Sequence, residues 1–393
     1  MKLAKIKKTI HLSKSDLELP SRTIPGEWII LEKGNIYYLA FVNDMAEPFS
    51  CIITRPISFE EKNQFIKESE DIVARREIAY HLRKALSYRM DILPYGKNAR
   101  LFYGESDGLT GLIIDGYQNA VLIEINRAGI DRFRDSIKEV VTNFLDSEEV
   151  YFFDKASKRE REKLPSYEKK DILPNHLSIK ENEISYKLPE KLWQKIGYYY
   201  DHRENRKSFY RKLTELKLKK NTGLDLFCYI GSWGLNALKA GVQKVDFVDQ
   251  ADMGEVISAN LKENYFEEKG EFKRGDVFDL LVKFQMEGRY YDIVISDPPS
   301  FAKSLDKKHQ ALQGYKKLHR GILKLLRSGS SVVFASCTHY VTADEFVNTI
   351  TTSAQELKMS LRMIDCGMQG LDHPIRSFSD PWNYIKYYYF LVE

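Results

Sequence analysis

The sequence predicts an α/β protein: a parallel sheet covered by helices on both faces in the C-terminal part, behind a β-rich unit and a small α+β unit. Three observations carry this. From about Gly223 onward, short apolar runs alternate strictly with helical stretches. Those runs end in acidic residues or lead into a glycine turn. Upstream, β-prone runs dominate, broken by one long helical pattern.

In chain order, residues 1–70 contain the β-prone runs Trp28–Leu31, Tyr37–Val42 and Cys51–Thr54, separated by turn residues. A helical pattern runs from about Ser58 to Ser87 and includes the basic stretch Arg75-Arg76 to Arg83-Lys84. Strands return at Arg100–Tyr103, Gly111–Ile114 and Ala120–Ile125, followed by a helix from about Asp131 to Leu145 and a strand near Val150–Phe153. Residues 155–175 are charged, proline-punctuated and poor in apolar periodicity, which predicts a linker or exposed loop, with contact to RNA phosphate as the alternative. The alternating part has strands at Leu224–Cys228, Val245–Val248, Phe272–Arg274, Ile293–Ile295 and Val332–Ala335. Helices are predicted at Trp233–Ala240, Gly254–Lys269, Val277–Met286, His309–Arg327 and Ala343–Leu357. Right-handed crossovers join such strands, and ligands bind at their carboxyl ends near the topological switch point.

A length of 393 residues exceeds one ordinary core, so two or three domains are expected. The net charge of +4 permits a nucleic-acid partner without arguing for one. No apolar stretch approaches the ~20 residues that span a bilayer, and the basic N-terminus lacks the apolar run of a secretory signal, so no membrane partner is expected. The cysteines Cys51, Cys228, Cys337 and Cys366 are far apart and form no CxxC pair, which argues against a zinc site or disulfide framework and for a reducing cytoplasm. Hence no metal is expected.

Two strand-end motifs carry the chemistry. Asp297-Pro298-Pro299-Ser300-Phe301 follows one apolar run and Ser336-Cys337-Thr338 follows another. An acid on a rigid Pro-Pro turn presents a carboxylate and carbonyls to a flat ring, and a cysteine at a nearby tip supplies a covalent nucleophile. Together they point to an enzyme that attacks a nucleic-acid base. The first strand ends in Asp225-Leu226-Phe227-Cys228-Tyr229-Ile230-Gly231, where Gly231 allows a sharp turn and a close ligand approach. A full GxGxxG is missing, as suits a cofactor without a pyrophosphate. Asp249 at the second strand end suits ribose hydroxyls, and Asp276 at the third can meet an adenine amino group. One acid at a strand tip is more often a helix N-cap; acids after four successive strands form a cofactor pattern. Phe227, Tyr229, Val277 and Asp297 join the cofactor-facing candidates, and Pro298, Pro299, Phe301 and Lys303 the substrate-facing ones.

With these motifs the chain resembles the class I S-adenosylmethionine (SAM) methyltransferases. More closely it resembles RNA 5-methylcytosine methyltransferases of the 23S rRNA large-subunit methyltransferase I type. The resemblance rests on residues 100–117 (RLFYGESDGLTGLIIDGY), 194–206 (QKIGYYYDHRENR), 297–304 (DPPSFAKS), 336–338 (SCT), 372–374 (DHP) and 384–389 (YIKYYY). It implies a PUA-like RNA-binding domain over 1–70, a middle α+β domain over 71–175 and a Rossmann-like methyltransferase domain over 176–393. It also implies SAM as cofactor, ribosomal RNA as substrate and a homodimer. By the same resemblance Gln194, Lys195, Gly197, Asp201 and Arg203 line the SAM site; Arg203 and Arg206 read alternatively as ion-pair partners of Glu204 or Asp201. The first-strand loop departs from the family's Thr-Gly-Gly-Phe type of turn at Ile230 and Ser232. Arg22, Gly26 and Trp28 fit the PUA pattern, although the basic cluster beside the Trp is thin.

The implied reaction explains the cysteine. Carbon 5 of cytosine is too weak a nucleophile to take the methyl group unaided, and thiolate addition at carbon 6 activates it. Cys337 is assigned as nucleophile and Asp297 as the carboxyl facing the ring near nitrogen 3. A cationic group or dipole should lower the thiol pKa. Ser300 stands where related enzymes carry a second cysteine, leaving Cys228, Cys366 and Cys51 as packing or structural residues. The target base must be unstacked, and Tyr198, Tyr199, Tyr200 and Phe301 offer stacking surface, unless the Tyr triplet is a β-strand showing only alternate rings. Two further readings remain: methylation of a ring or exocyclic nitrogen of guanine or adenine, which needs no thiol, and a non-catalytic RNA-binding or ribosome-assembly protein.

Overall fold

The computed structural model describes residues 1–6, 14–19, 23–165, 173–193, 197–377, 380 and 382–393. The chain divides into two compact units, Met1–Asn175 and His176–Glu393.

In the first unit, β1 (Lys2–Ile6), β2 (Leu17–Glu18), β3 (Glu27–Lys33), β4 (Ile36–Asn43) and β5 (Ser50–Ile57) form a sheet in the order β2-β1-β3-β4-β5. Period-two alternation makes it apolar on both faces. Trp28 and Ile30 of β3 enter the larger core, whereas Ile29 and Leu31 pack with Ala4, Leu17, Ala40 and Val42 on the other side. The long predicted helix is two helices, α1 (Phe59–Lys67) and α2 (Glu70–Ser87). The split has a local cause: Ser58 and Glu61 form a capping box that starts α1, and Ser69 caps the next helix by accepting from Ile72 N.

Next come β6 (Arg100–Tyr103), β7 (Leu112–Gly116), β8 (Val121–Ile125), α3 (Ala128–Asp131), α4 (Arg134–Leu145), β9 (Val150–Phe152) and α5 (Ala156–Glu160), with the strands ordered β6-β7-β8-β9. Both sheets contribute to one continuous core with α2 and α4. Trp28 Nε1 donates to Gly129 O at 2.9 Å, and a Cβ on Gly26 would stand 2.4 Å from the Ala128 carbonyl, so only glycine permits that approach. The charged stretch after residue 155 is no exposed loop as far as residue 165. Arg159 is buried and donates to Asp131 at 2.8 Å and to the Pro165 carbonyl, while buried Glu162 pairs with Arg127. Its charges point inward because each finds a partner there. Residues 166–172 and Arg22 lie outside the described residues.

The second unit opens with a hairpin the sequence reading missed, β10 (His176–Glu181) and β11 (Ile184–Pro189). Its turn residues Asn182 and Glu183 both have positive φ (51° and 58°), the requirement of a two-residue hairpin turn. There follow α6 (Glu190–Trp193), α7 (Arg203–Glu215), β12 (Thr222–Leu226), α8 (Ser232–Lys239), β13 (Lys244–Asp249), α9 (Gly254–Glu263), β14 (Gly270–Arg274), α10 (Val277–Met286), β15 (Ile293–Ser296), α11 (Lys308–Leu323), β16 (Ser331–Ser336), α12 (Ala343–Glu356), β17 (Leu361–Gly367) and β18 (Lys386–Val392). The seven-stranded sheet runs β14-β13-β12-β15-β16-β18-β17. Its first five strands are parallel, as predicted; β18 is antiparallel to both its neighbours, so the sheet is mixed. β12 adjoins both β13 and β15, and the crevice at this switch point holds the motifs.

Candidate active site

The loop from β12 to α8 is held in an unusual conformation. Phe227, Tyr229 and Gly231 all have positive φ, at 59°, 50° and 84°. For the two aromatic residues this costs about 1–2 kcal/mol each, so the loop must be fixed from outside. Tyr229 N donates to Asp249 Oδ2 at 3.0 Å, Cys228 N to Val248 O at 3.0 Å, and Gly231 N to Cys228 O at 2.7 Å. A Cβ on Gly231 would come within 2.8 Å of the Ile257 side chain. Behind the loop, buried Asp225 accepts from Gly234 N at 2.8 Å. Burial pushes its carboxyl up to about 8, with Asp297 and Asp249 adding to the effect.

Asp249, at the end of β13, is half-buried and also accepts from Ala251 N at 2.9 Å. Gly275 N bonds its backbone carbonyl at 3.0 Å, which brings the Asp276 turn alongside. Asp276 is the N-cap of α10, its Oδ1 accepting from Phe278 N and Asp279 N, and Val277 is buried behind it. Gly197 has φ 86° and its carbonyl accepts from the Tyr229 hydroxyl at 2.8 Å. Gln194 and Lys195 lie outside the described residues.

Burial alone would raise the Asp201 carboxyl, yet His202, His373, the Tyr384 hydroxyl and Arg206 hold it below the usual carboxylate range. Arg203 and Arg206 do form ion pairs, but with other acids than expected. Arg203 pairs with Asp372 at 3.2 Å, and Arg206 grips Glu181 with two bonds of 2.5 and 2.8 Å. These acids lie on the DHP segment and on β10, far away in sequence. The Tyr triplet is not a strand: Tyr198 and Tyr200 are buried, and Tyr199 alone is exposed, at 45 %, edge-on to Tyr229.

The two strand-end motifs meet. β15 and β16 are paired neighbours, and Cys337 Sγ stands 4.0 Å from the Pro298 carbonyl. Asp297 Oδ2 accepts from Trp233 Nε1 at 2.9 Å, and His202 Nε2 stands 3.5 Å from its Oδ1. The Tyr315 hydroxyl of α11 contacts Ser336 Oγ and Thr338 Oγ1 at 2.9 and 2.6 Å, bracketing Cys337. The thiol departs from expectation: burial, then Asp297 and Asp201, pushes it up to about 12, outweighing the opposing charge of Lys386. Pro298 is buried; Pro299 and Lys303 are exposed. Phe301 stacks on Tyr315, with ring centroids 4.6 Å apart. Cys228 is buried as expected, but Cys366 is exposed, because its position on β17 faces out of the sheet. Burial pushes the Cys51 thiol up to about 12.

Tyr198 Oη, Asp201 Oδ1, His202 Nε2, Asp225 Oδ1 and Ser296 Oγ are buried without a hydrogen-bond partner; among the described residues no other such atom lies in the second unit. Buried polar groups are normally satisfied, so these orphans, beside the half-buried Asp249, fit a ligand rich in amine and hydroxyl donors. Sequence reasoning gave no role to Trp233, His202, Lys386, Tyr384 or Tyr315. The first four lie within quoted segments or the first-strand loop, so the signal was present without its geometry. Among the described residues no helix is long and apolar enough to cross a membrane, and no acid, His or Cys cluster could hold a metal ion.

Comparison with known proteins agrees with this architecture. The family described as Conserved hypothetical protein 95 matches residues 203–345. Ribosomal RNA large subunit methyltransferase I of Photobacterium profundum is 29% identical over 346 residues, covering 86% of this chain and 84% of that protein. Among solved structures, a candidate SAM-dependent methyltransferase from Streptococcus mutans superposes with a TM-score of 0.74 at 20% identity over 100% of both chains. SMU.776, a candidate methyltransferase complexed with SAH, has the same TM-score and identity over 99% of both chains. The fold is therefore the Rossmann-like fold of SAM-dependent methyltransferases.

Proposed function

We propose that this chain is a SAM-dependent methyltransferase of large-subunit ribosomal RNA that methylates carbon 5 of a cytosine through a covalent cysteine intermediate. The name of its Photobacterium relative supports the rRNA substrate, and the likeness to a methyltransferase complexed with SAH supports the cofactor. The observation that carries the cytosine reading is the meeting of Cys337 and Asp297 on paired strand tips.

SAM, when bound, supplies an electrophilic methyl group. Asp249 suits the ribose hydroxyls, the positive-φ loop at residues 227–231 allows close backbone approach, and Asp201 and Asp225 each offer an unpartnered carboxylate oxygen. Cys337 adds to carbon 6 of the target ring as the thiolate, forming an Sγ–C6 bond and making carbon 5 nucleophilic. Asp297, oriented by the Trp233 indole N–H, faces the ring near nitrogen 3. After methylation, loss of the carbon-5 proton lets the Sγ–C6 bond break and returns the thiolate. Tyr199, the exposed member of the Tyr triplet, is the stacking candidate; one face of Phe301 is already taken by Tyr315.

The test is Cys337→Ser assayed on rRNA from cells lacking the protein, with the product mapped by mass spectrometry. The cytosine reading expects loss of one 5-methylcytosine in those cells and no turnover by the variant. Near-complete turnover by Cys337→Ser would move the reaction to a ring or exocyclic nitrogen.

A further inference from the structure

A covalent mechanism needs the thiolate, yet burial and two neighbouring carboxylates oppose it at Cys337. The antiparallel pairing of β16 with β18 puts Lys386 directly opposite Ser336, one residue before the nucleophile. Lys386 is 7 % exposed. Its Nζ donates to Thr338 O at 2.7 Å and to Tyr384 O at 3.0 Å, two neutral carbonyls on either side of the cysteine's loop. An ammonium has three N–H donors, so one remains. Among the described residues no carboxylate comes within ion-pair distance of it. Buried charges are normally paired, and the group whose charge Lys386 feels most strongly is Cys337.

Resting on the cysteine reading above, we propose that Lys386 is the proton acceptor and counter-ion of Cys337, a positioning residue that acts through the nucleophile. The proton moves from Sγ to Nζ, giving a thiolate beside an ammonium. The pair's net charge does not change, so no isolated charge is created in the buried site. The lysine suits the task, because burial lowers it to about 8 while the cysteine and Glu345 draw it back up. The other groups facing the thiol are Asp297 after β15, Asp201 and Tyr199 on the segment before α7, and the Tyr315 hydroxyl on α11. Glu345 on α12 faces the lysine.

The test is the pH profile of Cys337 alkylation by iodoacetamide in the full chain, quantified on the Cys337 peptide by mass spectrometry. Lys386→Met should slow alkylation at pH 8 by about tenfold or more, because reactivity follows the thiolate fraction. Lys386→Arg should restore most of it. A Lys386→Met profile superimposable on wild type overturns the proposal. Should Lys386→Met fail to fold, Cys337→Ala gives the reciprocal measurement: acylation of Lys386 at pH 8 should accelerate once the thiolate is gone, and an unchanged rate overturns the pairing. Failure here is distinct from failure of the cysteine mechanism, since Lys386→Met with normal turnover removes only the lysine, whereas an active Cys337→Ser removes the mechanism itself.

Discussion

Arg206→Met should be among the most damaging single substitutions in the second unit. The guanidinium is fully buried, spends two bonds on Glu181 and a third on the Tyr199 carbonyl, and lies 5.2 Å over the Tyr198 ring. Methionine fills much of the volume but strands a buried carboxylate, a change worth about 3–5 kcal/mol. For a unit of this size that lowers the melting temperature by roughly 6–20 °C. The cost belongs to the orphaned charge rather than to the lost pair, so Arg206→Met combined with Glu181→Leu should recover most of the loss. Differential scanning calorimetry of the four proteins closes the cycle. The reasoning is refuted if the single variant loses less than about 1 kcal/mol, or if the double variant is no more stable than the single one. Function should follow stability, because this pair ties β10 to the segment that carries Tyr199, Asp201 and the Gly197 carbonyl.

Two more predictions concern cofactor and pH. Asp249→Asn should weaken SAM binding about 10–100-fold, the usual worth of a hydrogen bond to a charged group; an unchanged calorimetric Kd removes Asp249 from the cofactor site. His319, packed against Phe334 and bonded to Thr349, is held down to about 3 by burial. As pH falls from about 6.5 toward 3 the unfolded chain binds a proton that the folded chain refuses, so stability drops by up to about 1.4 kcal/mol per pH unit. His319→Gln should flatten that slope in urea titrations between pH 6.5 and 4, and an identical slope in the variant contradicts the assignment.

The parallel strands were legible because each is a run of β-branched and aliphatic residues buried on both faces and closed by an acid. Asp225, Asp249, Asp276 and Asp297 could be numbered from that pattern alone. What pattern reading lacks is partner choice across sequence distance. The partners of Arg203 and Arg206 lie more than 160 and about 25 residues away, and nothing local marks Asp372 or Glu181 as theirs. The hairpin at residues 176–189 escaped because its turn is Asn-Glu rather than Asn-Gly, although both residues adopt the positive φ that glycine usually supplies. The thiol's raised pKa was invisible for a related reason: a motif names a nucleophile, and only packing says how much water it has lost.

The strand order carries a consequence for how the molecule is assembled. β18 sits between β16 and β17, so β17 has no partner in the sheet until residues 386–392 have paired. Until that moment the nascent sheet exposes the apolar edge of β16, an invitation to pairing with other chains. The same event delivers Lys386 opposite Ser336. Closing the sheet and completing the surroundings of Cys337 are thus one folding step, and a chain caught before it is both sticky and inert.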